Sequence, residues 1–293
     1  MLKLLERLFN RYNARGYFKF ISDELCLKIL YHYYFDEKLD LNNPITYNQK
    51  LQWLKLNDRK DIYTTMVDKE AVKKYVANII GEEFIIPTLG VWDNFDEINF
   101  RLLPNQFVLK CTHDSGSIVI CRDKDKFDKE KAHKSINKGM KRNLYWSGRE
   151  WPYKNVKPRI IAEKFMLDKK TEELKDYKFY CFDGKVKVVV INSDRNTSKK
   201  TKGDFYDRNF NYLDFQWGFE HAEVKPGKPE LFDDMIRIAE KLSKGIPEVR
   251  IDLYYCNGKI YFGEYTFFDG SGMTRFEPKE WDYKMGTFIK LPR

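Results

Sequence analysis

The stretch that decides the fold is VRIDLYYCNGKIYFGEYTFF, residues 249–268. Two runs rich in β-branched and aromatic residues flank Asn257 and Gly258, which marks a β-hairpin. Alternate residues share a face, so Arg250 and Asp252 lie together on the first strand and Glu264 and Thr266 on the second. Whether those two faces coincide depends on the turn. A two-residue turn with regular pairing would set Glu264 opposite Ile251, on the wrong side. The arrangement expected is a three-residue turn ending in a left-handed Gly258, with a bulge, which pairs Arg250 with Glu264 and leaves Asp252 diagonally adjacent. Two converging carboxylates on rigid strands suit a Mg2+ that keeps several waters and takes other ligands from phosphate oxygens, with Arg250 neutralising phosphate charge. The same residues also suit an ordinary cross-strand ion pair on a solvated face.

Working upstream, DYKFYCF (176–182) and KVKVVVIN (185–192) form a second hairpin across Asp183 and Gly184, and RIIAEKFM (159–166) is a further strand. Short strands are also expected at FIIP (84–87), FVLK (107–110) and SIVIC (117–121). Residues 24–57 read as helical, with Pro44, Thr46 and Gln49 marking a helix start. A single helix is predicted over 65–80, closed by Gly81. Others follow at about 128–142 and 229–244. Helices mixed with mainly antiparallel strands make this an α+β protein.

In FVLKCTHDSGSIVI (107–120), Lys110 ends a strand and is followed by a loop of small polar residues. Backbone N–H groups of such a loop close over phosphates while the lysine contacts their oxygens. With Gly116 as its one glycine, the segment also reads as a plain hairpin turn carrying a surface lysine. Tyr145, Trp146 and Trp151 cluster around Arg149, where rings would stack on sugar faces and the arginine would hold a uronate, or where aromatic residues simply pack.

The 293 residues, 42% hydrophobic and 33% charged, allow a full-sized core. No run of 18 apolar residues occurs, so no bilayer span is expected. MLKLLERLFNRYNARGYFKF at the start reads as an amphipathic helix rather than a signal peptide, leaving peripheral membrane contact open. Five scattered cysteines with no CxxC pair point away from disulfides and structural zinc, and toward a reducing cytoplasmic setting. A formal charge of +9 favours anionic partners. Nucleic acid is not expected, for want of a contiguous Lys/Arg stripe with interleaved aromatics.

Taken in order, the blocks MVDKEAVKKYV, GEEFIIPTLGVW, LPNQFVLKCTHDSGS, PRIIAEKF, DYKFYCFDGK and RIDLYYCNGKIYFGEYTFFDGSG resemble the TupA-like amidoligases of the ATP-grasp superfamily, from about Asn42 to Met273. The resemblance implies an ATP-grasp fold: two α+β subdomains (83–162 and 163–293) clasp the nucleotide, after a helical region at 1–82. It implies ATP and Mg2+ as cofactors. Lys110 and Lys73 would contact phosphates beneath Ser115, Gly116 and Ser117, and His113 would donate to a phosphate or acyl-phosphate oxygen. Glu163, with the backbone of Lys164 and Phe165, would flank adenine, and Asp176 would hold ribose. Lys178 would face phosphate or substrate, and Arg250, Lys110 and Lys178 would form the catalytic set. Asp252, Glu264 and Thr266 would bind metal, Thr266 standing where D-alanine:D-alanine ligases carry Asn. Arg195 in a basic loop, Arg149, and the turn Asp269, Gly270, Ser271, Gly272 would face substrate. The activity implied is ATP-dependent amide formation between an amino acid or amine and an acidic glycan carboxylate, in bacterial cell-surface polysaccharide synthesis. The rival class is a glycosyltransferase using Asp123, Lys124 and Asp125 as a DxD-like motif.

Overall fold

Two hairpins organise the larger of the two main antiparallel sheets, and each turns on a residue followed by glycine, both with positive φ. In the computed structural model, which describes residues 2–170, 172, 174–193 and 200–292, Asp183 (φ 46°) and Gly184 (φ 75°) join β5 (Lys175–Phe182) to β6 (Lys185–Ser193). Asn257 (φ 52°) and Gly258 (φ 77°) join β10 (Val249–Cys256) to β11 (Lys259–Thr266). Left-handed backbone at both central positions gives the turn whose twist suits the strands it connects. The sheet runs β11-β10-β5-β6, then β7 (Lys202–Tyr206) and β8 (Tyr212–Leu213). Helix α8 (Phe232–Leu242) covers it with Phe232, Met235, Ile236, Ala239 and Leu242, at helical spacing.

The smaller sheet has the order β1 (Thr88–Trp92), β4 (Ile160–Lys164), β2 (Phe107–Cys111) and β3 (Ile118–Cys121). Helix α6 (Lys129–Met140) packs on β2 and β3, and Phe107, Leu109, Ile136, Ile160 and Ala162 form a separate core there. Two short strands, β9 (Gln216–Trp217) and β12 (Phe276–Glu277), pair with each other.

Helices α1 (Leu2–Asn13), α2 (Asp23–Phe35) and α3 (Tyr47–Asn57) precede both sheets. The start of α3 is a capping box, in which Thr46 accepts from the Gln49 N–H while Gln49 reaches back to the Thr46 N–H. Tyr47, Leu51 and Leu54 of α3 then enter the core of the larger sheet, beside α9 (Glu280–Phe288). A short helix, α7 (Tyr145–Gly148), touches α1. All five cysteines are unpaired and buried, and no described helix is long and apolar enough to cross a membrane.

Two local expectations are corrected. The helix predicted over 65–80 is two helices, α4 (Ile62–Val67) and α5 (Ala71–Ile80). Asp68 is extended, and its carboxylate accepts from the Glu70 and Ala71 N–H groups, which ends one helix and supports the start of the next. FIIP is not a strand: Glu82–Phe84 is a 3-10 turn, and β1 begins only after Pro87, which has no N–H to give a ladder.

One buried acid gives the core a pH dependence. Glu248, just before β10, accepts from the Tyr47 hydroxyl at 2.9 Å through one oxygen while its other oxygen, also buried, has no partner. Burial lifts its carboxyl from 4.5 to about 8. An acid whose folded pKa is raised stabilises fully below its unfolded pKa, and that contribution is lost as pH rises through the folded value. Stability should therefore fall between about pH 4.5 and 8 and level off above that, by on the order of 5 kcal/mol from this group. Glu248→Gln, followed by denaturant melts across that window, should flatten the slope relative to the parent protein.

Candidate active site

The polar faces of β10 and β11 do coincide, by a different route from the one expected. The Asn257–Gly258 turn is a two-residue turn, with Cys256 paired to Lys259, and that register holds as far as Leu253 and Phe262. There the bulge intervenes: Gly263 is left unpaired, and beyond it Asp252 faces Glu264 while Arg250 faces Thr266. The bulge thus sits at Gly263 and not at Gly258, and Arg250 does not pair with Glu264. Gly263 is required because a Cβ there would come within 2.9 Å of the Asp252 carbonyl oxygen and 3.0 Å of the Tyr254 ring. On the other flank, β5 sets Lys178 opposite Asp252 and Asp176 opposite Tyr254. Charged residues of three neighbouring strands therefore occupy one face.

Charge pairing on that face is dense. Arg250 donates through Nε and Nη2 to the two oxygens of Asp252 at 2.6 and 2.9 Å, reaches Glu264 at 3.2 Å, and gives Nη1 to Asp269. Lys178 bridges Asp176 at 2.7 Å and Asp252 at 2.5 Å. Burial alone would raise Asp252, but Arg250 and then Lys178 hold its carboxyl below the usual range. Glu264 is half-exposed, and the Thr266 hydroxyl donates to it at 3.3 Å.

The smaller sheet answers across a cleft lined by Lys73, Lys110, Ser115, Gly116, Glu163, Asp176, Asp252, Tyr254 and Glu264 among others. Glu163 of β4 accepts from Lys73 of α5 at 2.5 Å and from Lys110 of β2 at 2.6 Å, and Lys73 also donates to the Ile86 carbonyl at 2.7 Å. Burial works upward on Glu163, yet Lys110 and then Lys73 bring its carboxyl down to about 2. Burial lowers the Lys73 ammonium against the pull of Glu163. Two lysines thus face two carboxylates, Asp252 and Glu264, across one cleft.

Asp252 and Glu264 fit a divalent ion that takes its remaining ligands from water and phosphate, since they are directly opposed and both line the cleft. Among the described residues no cluster of three or more metal-type side chains exists. Protein ligation would then rest on this pair, with Thr266 held against Glu264.

Several expected residues point elsewhere. His113 is buried, its Nε2 3.2 Å from the Arg142 carbonyl, and burial lowers its pKa. Ser117 is buried too, donating to Asp114 and abutting Gly139 of α6. Both were expected on phosphate, yet both face the α6 side of the loop, leaving Ser115 and Gly116 at the cleft. For Lys164 and Phe165 the expectation concerns the backbone: the Lys164 N–H donates to the Pro87 carbonyl at 3.0 Å, and only the side chains turn away, Lys164 to solvent and Phe165 under the Arg122 guanidinium. Arg149 is corrected outright: it is fully buried, donates to the Phe18 carbonyl at 2.9 Å and lies over the Trp146 ring, so no uronate reaches it. Asp123 caps a 3-10 turn, accepting from the Asp125 N–H, in place of a metal role. Arg195 lies outside the described residues.

The turn Asp269–Gly272 joins the site through Asp269, which accepts from Arg250 and from the Tyr180 hydroxyl at 2.5 Å. Gly270, Ser271 and Gly272 all have positive φ (56°, 57° and 59°). They are held from beneath by two residues of α3 that sequence reasoning missed. Lys55, fully buried, donates to Ser271 O and Oγ and to the Gly148 carbonyl, and Gln52 donates to Ser271 O and Gly272 O. Burial lowers Lys55 and raises the neighbouring Glu150. Tyr254, also missed, was legible in principle as the next alternate residue after Asp252.

A family model described as TupA-like ATPgrasp matches residues 49–290. The chain belongs to the TupA-like ATP-grasp family. Solved structures similar to this TupA-like ATP-grasp chain include a D-alanine–D-alanine ligase from Bacillus anthracis complexed with ATP (15% identity over 69% of this chain and 54% of that one, TM-score 0.40). Another is an L-amino acid ligase from Bacillus licheniformis (12% identity, 86% and 57%, TM-score 0.47). A third is the ATP-grasp ligase PsnB with minimal precursor, Mg and ADP (9% identity, 76% and 60%, TM-score 0.39). The chain spans 54–60% of the length of these three proteins. No curated protein matches it.

The bulge predicts a ranking of two glycines. Gly258→Ala meets open space and incurs only the strain of its positive φ, about 1 kcal/mol. Gly263→Ala drives a methyl into backbone and should lower stability by more than about 2 kcal/mol. Urea melts of the two variants check the order.

Proposed function

We propose that this protein is an ATP-dependent, ADP-forming ligase that joins a carboxylate to an amine. The observation that carries the reading is the opposition, across one cleft of an ATP-grasp family member, of the Lys73–Glu163–Lys110 cluster to the Asp252–Glu264 pair. The cleft is read as the seam between two subdomains, built on the smaller and the larger sheet, whose expected boundary at 162/163 falls inside β4 of the smaller sheet, with α5 of the helical region 1–82 supplying Lys73.

Lys73 and Lys110 bind phosphate oxygens in place of their contacts with Glu163, which is then released toward the adenine side together with the backbone of Lys164 and Phe165. Asp176 takes the ribose. A substrate carboxylate oxygen attacks the γ-phosphorus of ATP, the bond to the bridging oxygen breaks, and ADP leaves an acyl phosphate. The amine then attacks the acyl carbon, phosphate departs and the nitrogen loses its proton. Both steps need charge held in line more than proton transfer. Arg250 and Lys178 supply positive charge where the phosphoryl group moves, and Asp269 fixes the guanidinium. Asp252 and Glu264, with Thr266 supporting, would hold a Mg2+, which would supply neutralisation of phosphate charge. Ser271 and the adjoining glycines offer backbone groups to the substrate carboxylate, while Arg195 is assigned to an anionic acceptor or the γ-phosphate.

An amino acid as the amine, and a uronic-acid-type carboxylate of a bacterial surface or capsular polysaccharide as the acid, are the substrates proposed, in the cytoplasm. The glycosyltransferase alternative finds no support at Asp123–Asp125. ATP with Mg2+ at a hundred times Kd should stabilise the protein by about 2.7 kcal/mol, and Asp252→Asn should abolish that shift in a thermal melt. With panels of uronates and amino acids, ADP, phosphate and amide should appear in equal amounts. Sugar-nucleotide turnover without ATP cleavage would overturn the assignment.

A further inference from the structure

Helix α1 packs on the protein by its polar face and turns its leucines outward. The inward residues are Glu6, Asn10 and Asn13, with Phe9 at their edge packing on the α2 core. Glu6 lies 2.6 Å from His32 Nδ1, Asn10 donates to the Tyr34 hydroxyl at 3.0 Å, and Asn13 donates to the Trp146 and Ser147 carbonyls at 2.8 and 3.0 Å. At the 3.6-residue period, Leu4, Leu5, Leu8 and Tyr12 fall within an arc of about 100° on the opposite side. They are 61%, 56%, 41% and 40% exposed, and Tyr17 and Phe20 in the following turn are 64% and 82% exposed. The leucines exposed elsewhere, Leu25, Leu102 and Leu167, lie apart in the sequence, whereas Leu4, Leu5 and Leu8 share one helix face; in water this face carries an unfavourable apolar surface.

Charge identifies what covers it. Arg7 and Arg11 are exposed along one edge of the apolar face, Arg15 and Lys19 are exposed in the turn that follows, and Glu6, the one acid in residues 1–22, is buried on the far side. A second copy packed about a two-fold axis would bring these basic rows together, so self-association is disfavoured. An apolar stripe bordered by arginines and cleared of acids matches the boundary of a bilayer with anionic headgroups.

We propose that the outer face of α1, with Tyr17 and Phe20, docks this protein onto an anionic membrane surface. Leu4, Leu5, Leu8 and Phe20 enter the acyl boundary, and Arg7, Arg11 and Arg15 meet phosphate headgroups. This docking is independent of the ligase reading, because no residue of the cleft takes part.

The test is co-sedimentation of the full chain with vesicles of phosphatidylcholine alone or mixed with phosphatidylglycerol. Binding to the mixed vesicles should exceed binding to the neutral ones at least tenfold and weaken with added salt. Leu4→Glu with Leu8→Glu should reduce it by roughly tenfold or more, and Arg7→Gln with Arg11→Gln by on the order of tenfold. These residues are exposed, so both variants should melt as the parent does; the arginine pair tests the proposal even if the leucine pair misfolds. Absence of binding, or equal binding to neutral vesicles, would overturn the proposal. So would dimerisation in solution that Leu4→Glu with Leu8→Glu abolishes, or an acidic protein competing for the face without lipid binding.

Discussion

Charge taken out of water must be answered by charge close by, and the larger sheet is built around that requirement. Arg250, Asp252, Asp176 and Lys178 are all buried on its cleft face, each within reach of an opposite charge. An unpaired member would meet several kcal/mol of desolvation, so strand order and register are constrained together. β10 must lie between β5 and β11, since Asp252 needs Lys178 on one side and shares Arg250 with Glu264 on the other. The Gly263 bulge is what lets the tight turn and this pairing coexist.

The smaller sheet solves the same problem with one acid between two lysines. Glu163 neutralises Lys73 and Lys110. The result is a cleft whose two walls carry complementary patterns: a cationic pair on one, and on the other a carboxylate pair whose more exposed member, Glu264, is the less tightly held. Such an asymmetry favours a ligand that brings negative charge to the first wall and shares a cation with the second.

Much of this was legible where the physics is local. The Thr46–Gln49 box, the presence of a hairpin at Asn257–Gly258, though with two turn residues and not the three expected, and the alternation of Arg250 with Asp252 each rest on neighbours within a few residues. What failed depends on distant packing. Gly263 carries the usual mark of a bulge, glycine inside a strand, but the neighbouring Gly258 already accounted for the turn, so the bulge was assigned there. Arg149 looked like a sugar platform because aromatic residues surround it in sequence; only the packing of α1 reveals that they bury it. His113 and Ser117 share a loop with Ser115 and Gly116, and sequence cannot tell which side of a loop a side chain takes. Lys55, on a helix otherwise read for its apolar stripe, gave no sign of being buried.

The hold that α3 has on the Asp269–Gly272 turn has a consequence for the order of assembly. Gln52 bonds Gly272 across 220 positions, and Lys50 bonds Gly286 across 236. A ribosome releases residues 46–57 long before their partners exist, so α3 must wait, capped by its own box but with Tyr47, Leu51 and Leu54 uncovered, until the last hairpin has been made. The rim of the cleft is therefore among the final parts to form. A chain halted before that hairpin would leave Lys55 without the Ser271 carbonyl and hydroxyl, and would present α3 as exposed apolar surface for chaperones or proteases to read.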